Sequence, residues 1–382
     1  KARKGETQIK KIFTSIGYFL INKMTDIKAM RRALTLAIRG SGNVDPNPRV
    51  GAVIVKDGEI IAEGWHKKYG APHAEIDAIE NAKGIDLEGA TIYCNLEPCS
   101  HQGKTPPCAP VLIEKKFGRV VVGLEDPNPE VSGKGIQMLK DAGIEVESGV
   151  LEDECRWVNR FFLKHISTGI PYVLLKVAQS LDGCIATSSN QSKWITGEES
   201  RKKTHLLRLE LDSILIGSKT ARIDNPSLTV RRVKGRDPKR LIFDPDMSLE
   251  LGLKVFNNEQ RSNTIVFCDE KLTTTRKADN LRYAGVGVVP VPIVDGKFDI
   301  PEALKRLYQE YQVASILVEG GAEVFSTFLA SGEVDELHIF QAPIIIGNGI
   351  HSFEKNVQNI TDKHIQIVDE KVSSKEKEIM TI

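Results

Sequence analysis

Short apolar runs alternate with amphipathic stretches along most of the chain, the pattern of strands and helices laid down in turn. Ile27, Met30, Leu34 and Ile38 recur at helical spacing, and Thr25 or Asp26 can cap that first helix. Residues 40–48 break it. Two apolar runs, 51–55 and 59–64, flank Lys56-Asp57-Gly58 and predict a β-hairpin. The pattern then predicts a helix over 74–82, a strand over 90–95, a helix over 109–116, a strand over 119–123 and a helix over 134–142. A short strand is expected around Val146. Such alternation predicts a three-layer α/β/α domain. One packing helix is expected over 151–167. Thr168-Gly169-Ile170-Pro171 interrupts the pattern and marks the domain boundary, giving domains of 24–168 and 169–382.

The second half restarts with a continuous apolar run, 172–178, of the kind buried in parallel sheets. Ser180 to Gly183 turns it, and 198–211 is amphipathic. A buried strand over 213–217 ends at Ser218-Lys219-Thr220-Ala221, a polar entry to a helix. Strands are expected at 240–243, 263–268, 286–291 and 315–318, and 334–341 with the 344–346 run closes the series. Residues 301–312 predict a helix. This is a second, mostly parallel α/β domain.

Composition narrows the function. The 382 residues suffice for two domains, and 52 Lys and Arg balance 51 Asp and Glu. No global field favours nucleic acid, and at 6% aromatic residues there is no stacking platform for single strands. Neither nucleic acid nor membrane is expected as a partner. Six cysteines at irregular spacing do not form a disulfide framework. Cys94, Cys155, Cys184 and Cys268 lie in or beside apolar runs and read as packed thiols, which fits a reducing cytoplasm. Residues 1–23 carry a basic stretch and a short apolar run, too short for a signal peptide or a membrane span. They read as a leader, either an extension or a misassigned start.

The remaining two cysteines carry the chemistry. His73-Ala74-Glu75, Pro98-Cys99 and Pro107-Cys108 supply one imidazole and two thiolates, the ligand types that zinc prefers. Three protein ligands leave the fourth position to water, the catalytic pattern, and Glu75 is then available to move protons. Each Pro-Cys step suits the first turn of a helix, whose positive end favours the thiolate. A structural site closed by His66 or His101 is the competing reading, and unrelated core cysteines a third.

In the second half, residues 315–325 run strand, Gly320-Gly321, helix, a junction where backbone N–H groups can meet a phosphate. By itself a glycine pair marks a tight turn as readily. Gly285-Val-Gly287 leads into a strand, so no standard Rossmann fingerprint is present. Arg208, Arg231 and Arg232 suit either a phosphorylated substrate or a solvated surface.

Together the motifs resemble a known family. The first half is similar to the cytidine-deaminase-like superfamily, and within it to the pyrimidine deaminase of the riboflavin pathway. The long gap between Cys99 and Cys108, Asn47-Pro48-Arg49-Val50-Gly51 and Gly64-Trp65-His66 carry that likeness. The second half resembles its reductase partner, a dihydrofolate-reductase-like domain, through 176–183, Lys193-Trp194-Ile195-Thr196, 224–231 and 318–321. The resemblance implies a bifunctional enzyme of riboflavin biosynthesis acting on small phosphoribosyl pyrimidines, and a homo-oligomer is expected. Its first domain would hydrolyse the 2-amino group of 2,5-diamino-6-ribosylamino-4(3H)-pyrimidinone 5′-phosphate, and its second would reduce the ribosyl group of the product with NADPH.

Carried over, His73, Cys99 and Cys108 hold Zn2+ and Glu75 is the proton shuttle. Asn47, His66 and Lys104 contact the deaminase substrate. Ala178, Trp194, Thr220, Asp224, Gly321, Ala322, Glu323, Val324 and Phe325 bind NADPH. Lys176, Ser192, Arg208, Leu228, Arg231 and Glu319 contact the reductase substrate. Lys176 and Asp182 either assist ring opening as acid or base or form a structural ion pair. No cofactor contact is assigned to Pro245.

Overall fold

The computed structural model describes residues 24–101, 106–128, 132–192, 195–257, 259–353, 370–373 and 378–381. The chain divides into two compact units, one ending at Leu163 and one beginning at Lys164.

The first unit holds β1 (Gly51–Lys56), β2 (Glu59–Trp65), β3 (Thr91–Cys94), β4 (Arg119–Val122) and β5 (Glu145–Ser148). They form one sheet in the order β2-β1-β3-β4-β5. β1 runs antiparallel to β2 and β3, while β3, β4 and β5 are mutually parallel. The predicted hairpin forms as expected. Asp57 and Gly58 both have positive φ, the two-residue turn whose twist matches that of paired strands. Every residue from Gly51 to Val55 is buried, as a strand covered on both faces requires.

Thr25 caps the helix Asp26–Ala37, its hydroxyl accepting from the Lys28 N–H at 3.3 Å. The buried stripe of that helix matches the expected one at Met30 and Leu34 only. Ile27 and Ile38 are exposed, and Ala29, Met30, Ala33, Leu34, Leu36 and Ala37 face inward. The alanines allow close approach to β1, where a Cβ on Gly51 would overlap the Ala33 carbonyl. Gly64 on β2 plays the same part against the helix Ala74–Asn81: a Cβ there would overlap backbone atoms of Ala74 and Ala78. The single helix predicted over 151–167 is two, Glu152–Val158 and Arg160–Thr168. They are separated at Asn159, whose side chain accepts the Arg49 N–H at 2.8 Å.

The second unit holds β6 (Tyr172–Ser180), β7 (Cys184–Thr187), β8 (Ser213–Gly217), β9 (Lys239–Phe243), β10 (Thr264–Asp269), β11 (Gly287–Val291), β12 (Ile293–Val294) and β13 (Lys297–Phe298). It continues with β14 (Ser315–Gly320), β15 (Glu336–Ala342), β16 (Gly349–His351), β17 (Glu370–Ser373) and β18 (Glu378–Thr381). Nine of these make one sheet, ordered β11-β10-β9-β8-β14-β6-β15-β18-β17. It is parallel from β11 to β15, with β18 and β17 antiparallel at one edge. Successive strand residues face opposite cores. Leu215 packs with Leu304, Leu307 and Phe328, whereas Ile214 and Ile216 pack with Ala221, Leu228 and Leu281.

The chain moves outward from β8 through β9 and β10 to β11, then returns to insert β14 between β8 and β6. Such a reversal opens a crevice at the carboxyl ends of the strands, here beyond Gly217 and Gly320. The 344–346 run is not a strand. The Asp182 carboxylate accepts the N–H groups of Ile346 and Gly347, at 3.1 and 2.8 Å, and Ile344 and Ile345 are exposed. The hairpin β12–β13, the pair β7–β16, the edge β17–β18 and the helix Arg276–Tyr283 were not anticipated. Among the described residues no helix is long and apolar enough to cross a membrane.

The tight contact at Gly64 makes a specific prediction. Gly64→Ala should destabilise the first unit by about 3 kcal/mol or more, because backbone rather than a flexible side chain must yield. A thermal melt with separate probes for the two units checks this.

Candidate active sites

His73 occupies the N-cap of the helix Ala74–Asn81, and Glu75 lies in its first turn. Cys108 opens the helix Cys108–Glu114. Cys99 does not start a helix, contrary to expectation; it lies in an irregular segment after β3. Its sulfur nevertheless meets a helix end, since the Cys108 N–H points to it at 3.4 Å. One helix terminus thus serves both cysteines.

The His73 Nδ1 lies 3.4 Å from each of the sulfurs of Cys99 and Cys108. Tetrahedral zinc with ordinary bond lengths places nitrogen and sulfur ligands roughly 3.5 Å apart. The donor set therefore fits zinc as it stands. His66 does not close it. Its Nδ1 sits 3.0 Å from the Pro72 carbonyl and its Nε2 sits 3.3 Å from Asn47 Nδ2. That arrangement needs the neutral ring donating at Nδ1 and accepting at Nε2, and burial holds its pKa down. His101 is exposed. Among the described residues no fourth histidine, cysteine or carboxylate joins the set.

Electrostatics divide the thiols. The hydrogen bond from Cys108 and the neighbouring His73 hold Cys99 below the ordinary thiol range, while the Cys99 thiolate and burial push Cys108 up. Glu75 is 3% exposed, and burial pushes its carboxyl up to about 7, with His73 opposing.

Two buried side chains that sequence reasoning missed hold this site. Glu97 accepts four backbone N–H groups, from Asp126, Gly133, Gly135 and Ile136, at 3.2, 3.0, 2.9 and 3.2 Å. It thereby ties the Pro98-Cys99 segment to the start of the helix Lys134–Asp141. Asn95 accepts the Gly51 N–H and donates to the Arg49 carbonyl, at 2.8 and 2.9 Å, steadying the strand that follows Asn47. A polar residue at the end of an apolar strand was the available signal. Lys104 lies outside the described residues.

In the second unit a cavity of about 750 Å³ opens at the carboxyl ends of β8 and β14. Ala178, Thr220, Asp224 and all of Gly321, Ala322, Glu323, Val324 and Phe325 line it, and so do Lys176, Ser192 and Glu319. Trp194 lies outside the described residues. Arg208, Leu228 and Arg231 do not reach the wall, and Pro245 does. Gly321 has φ +92, and a Cβ there would sit 3.1 Å from the Thr220 hydroxyl. Gly320 and Gly217 let the strand ends close on Ile216 and Val324, at 2.7 and 2.8 Å from where their Cβ atoms would be.

Arg208 is neither a solvated charge nor an open phosphate ligand. It is half-buried in a bidentate pair with Glu319, with Nε and Nη2 at 2.6 and 2.9 Å from the carboxylate. Lys176 and Asp182 form no pair with each other. Asp182 takes the Ser180 hydroxyl and two backbone N–H groups, which hold it down to about 2. Burial lowers the Lys176 pKa, opposed by Glu319.

Residues 23–124 match the cytidine and deoxycytidylate deaminase zinc-binding region, and residues 171–374 match the RibD C-terminal domain. The riboflavin biosynthesis protein RibD of Aquifex aeolicus is 42% identical over 338 residues, covering 88% of this chain and 92% of that one. RibD of Escherichia coli is 39% identical, covering 85% and 89%. The chain belongs to the RibD family.

Solved structures agree. Acinetobacter baumannii RibD superposes with a TM-score of 0.83 at 38% identity, covering 93% of this chain and 97% of that one. The Thermotoga maritima diaminohydroxyphosphoribosylaminopyrimidine deaminase/5-amino-6-(5-phosphoribosylamino)uracil reductase gives 0.83 at 39% identity with the same coverage. Like other RibD proteins, this is a bifunctional enzyme of riboflavin biosynthesis, with a zinc-binding deaminase domain and a reductase domain of the NADPH-binding type. The RibD match also agrees with the α/β class read for both halves.

Glu97 gives the second prediction. Glu97→Ala strips the acceptor from four backbone N–H groups and should cost about 3 kcal/mol or more. Zinc content should fall with it. Glu97→Gln keeps one acceptor oxygen and should lose less. Denaturant melts and metal analysis of the three proteins check both statements.

Proposed function

We propose that His73, Cys99 and Cys108 hold zinc in the deaminase and that Glu75 carries the proton, with 2,5-diamino-6-ribosylamino-4(3H)-pyrimidinone 5′-phosphate as substrate. The observation that supports this best is the convergence of the three ligand atoms within 4.8 Å beside a fully buried carboxyl. When bound, zinc lowers the pKa of water to about 7 and so makes hydroxide available at neutral pH. Glu75 takes the proton released as the water oxygen bonds to C2, which becomes tetrahedral. It then returns a proton to the exocyclic nitrogen as the C2–N bond breaks and ammonia leaves. A carboxyl pushed up to about 7 is suited to both transfers. Neutral His66 and its partner Asn47, beside His73, are assigned to substrate contact, with Lys104 as a third.

For the reductase we assign NADPH to the 750 Å³ cavity. When bound, NADPH supplies the hydride that reduces C1′ and opens ribosyl to ribityl. The N-terminus of the helix Ala322–Ser331, behind Gly320-Gly321, offers N–H groups to a phosphate. Thr220 and Asp224 stand on the helix Ser218–Asp224, and Ala178 and Trp194 complete the assigned cofactor set. Lys176, Ser192 and Glu319 are assigned to the substrate, with Leu228 and Arg231 from a neighbouring loop. Because Arg208 is spent on Glu319, its part is to orient that carboxylate, and the exposed Arg231 is left for the 5′-phosphate. We assign deamination to 24–168 and reduction to 169–382. Six free cysteines, two of them zinc ligands, suit a reducing cytoplasm.

Two variants test the reading. Glu75→Gln should keep about one zinc per chain yet lower ammonia release by about 10²–10⁴-fold; normal deamination would remove the shuttle assignment. Gly321→Val should abolish NADPH binding, read by cofactor fluorescence, and leave ammonia release unchanged. Wild-type cofactor affinity in that variant would move NADPH out of this cavity.

A further inference from the structure

We propose that His205 is a positioning residue of the reductase: as a neutral imidazole it fixes the backbone of Arg231, and so holds that guanidinium where the substrate phosphate binds. The proposal rests on the assignment of Arg231 made above.

Residues 225–231 form neither helix nor strand, so no ladder holds their backbone. Three side chains hold it instead, on three consecutive residues. Arg208 Nη1 donates to the Thr229 carbonyl at 3.1 Å. The Val230 N–H donates to Asp237 Oδ1 at 2.6 Å. The Arg231 N–H donates to His205 Nδ1 at 3.2 Å. Just before them Leu228 is buried at φ +54, a conformation that needs outside support in a branched residue. Arg208 also grips Glu319 on the cavity wall. The segment is thus tied to the wall by one anchor and fixed at the phosphate-binding residue by another.

Accepting at Nδ1 requires the tautomer that carries its proton on Nε2. The surroundings favour that neutral form. His205 is buried, and the guanidiniums of Arg208, Arg231 and Arg232 face it, with Glu319 opposing. The anchor acts on the backbone and leaves the Arg231 side chain exposed. Without it, substrate binding must order the segment, and that cost falls on affinity rather than on hydride transfer.

The test uses the full-length zinc-loaded enzyme and the deaminated ribosylaminopyrimidine phosphate, following NADPH oxidation. His205→Phe should raise substrate KM about tenfold, one hydrogen bond's worth, with kcat and the KM for NADPH nearly unchanged. His205→Asn, whose Oδ1 replaces Nδ1, should restore most of the affinity, and His205→Gln should not. Adding His205→Phe to Arg231→Ala should cost no more than Arg231→Ala alone.

An unchanged substrate KM in His205→Phe, alongside a raised one in Arg231→Ala, overturns the positioning role and leaves the Arg231 assignment standing. An unchanged KM in Arg231→Ala removes both. Equal behaviour of the Asn and Gln variants overturns the proposal even where the Phe variant does not fold.

Discussion

Buried backbone N–H groups must find acceptors, and several irregular segments beside the sites of this protein have no strand or helix ladder to supply them. Side chains supply them instead. Glu97 gathers four N–H groups around the Pro98-Cys99 segment, and Asn95 links β1 to the end of β3. In the second unit Asp237 and His205 accept the N–H groups of Val230 and Arg231, Arg208 donates to the Thr229 carbonyl, and Asp182 accepts the N–H groups of Ile346 and Gly347. Polar side chains sunk into the protein beside the sites hold these segments, at a desolvation cost that hydrogen bonding offsets.

The same burial sets the chemistry. A carboxyl on an exposed first turn would stay ionised and simply stabilise its helix. Glu75 is buried and pushed up to about 7, where a carboxyl can exchange protons in either direction. Glu319, on the cavity wall, is held below the usual carboxylate range because Arg208 meets it with two hydrogen bonds. The two glutamates thus have opposite characters, and the Arg208 partner holds Glu319 down where, among the described residues, Glu75 has no such cation hydrogen-bonded to it.

Much of this was legible in the sequence. The hairpin at Asp57-Gly58 follows from local turn chemistry, the strands β6 and β8 from unbroken apolar runs, and the His73, Cys99, Cys108 set from residue types that zinc selects. What failed depended on distant partners. Cys99 was read as a helix start from the proline before it, yet the helix end it meets belongs to Cys108. Of the apolar positions at helical spacing, Met30 and Leu34 face inward as expected, but Ile27 and Ile38 do not, and Gly51 demands alanines beside them. The 344–346 run was read as a strand from its apolar character, and Asp182, far away in the chain, claims its N–H groups instead. Arg208 fitted either a phosphorylated substrate or a solvated surface because nothing local announces Glu319. Short elements such as β7 and β12 carry too few residues for a period to register.

Each of the two sites draws its described residues from one compact unit alone. Chemical competence is then a property of each half of the chain and not of their union. A chain crippled in its metal centre and another crippled in its cavity retain complementary halves. Mixed in one solution, they form in principle a complete two-step pathway, the first passing its product to the second by diffusion.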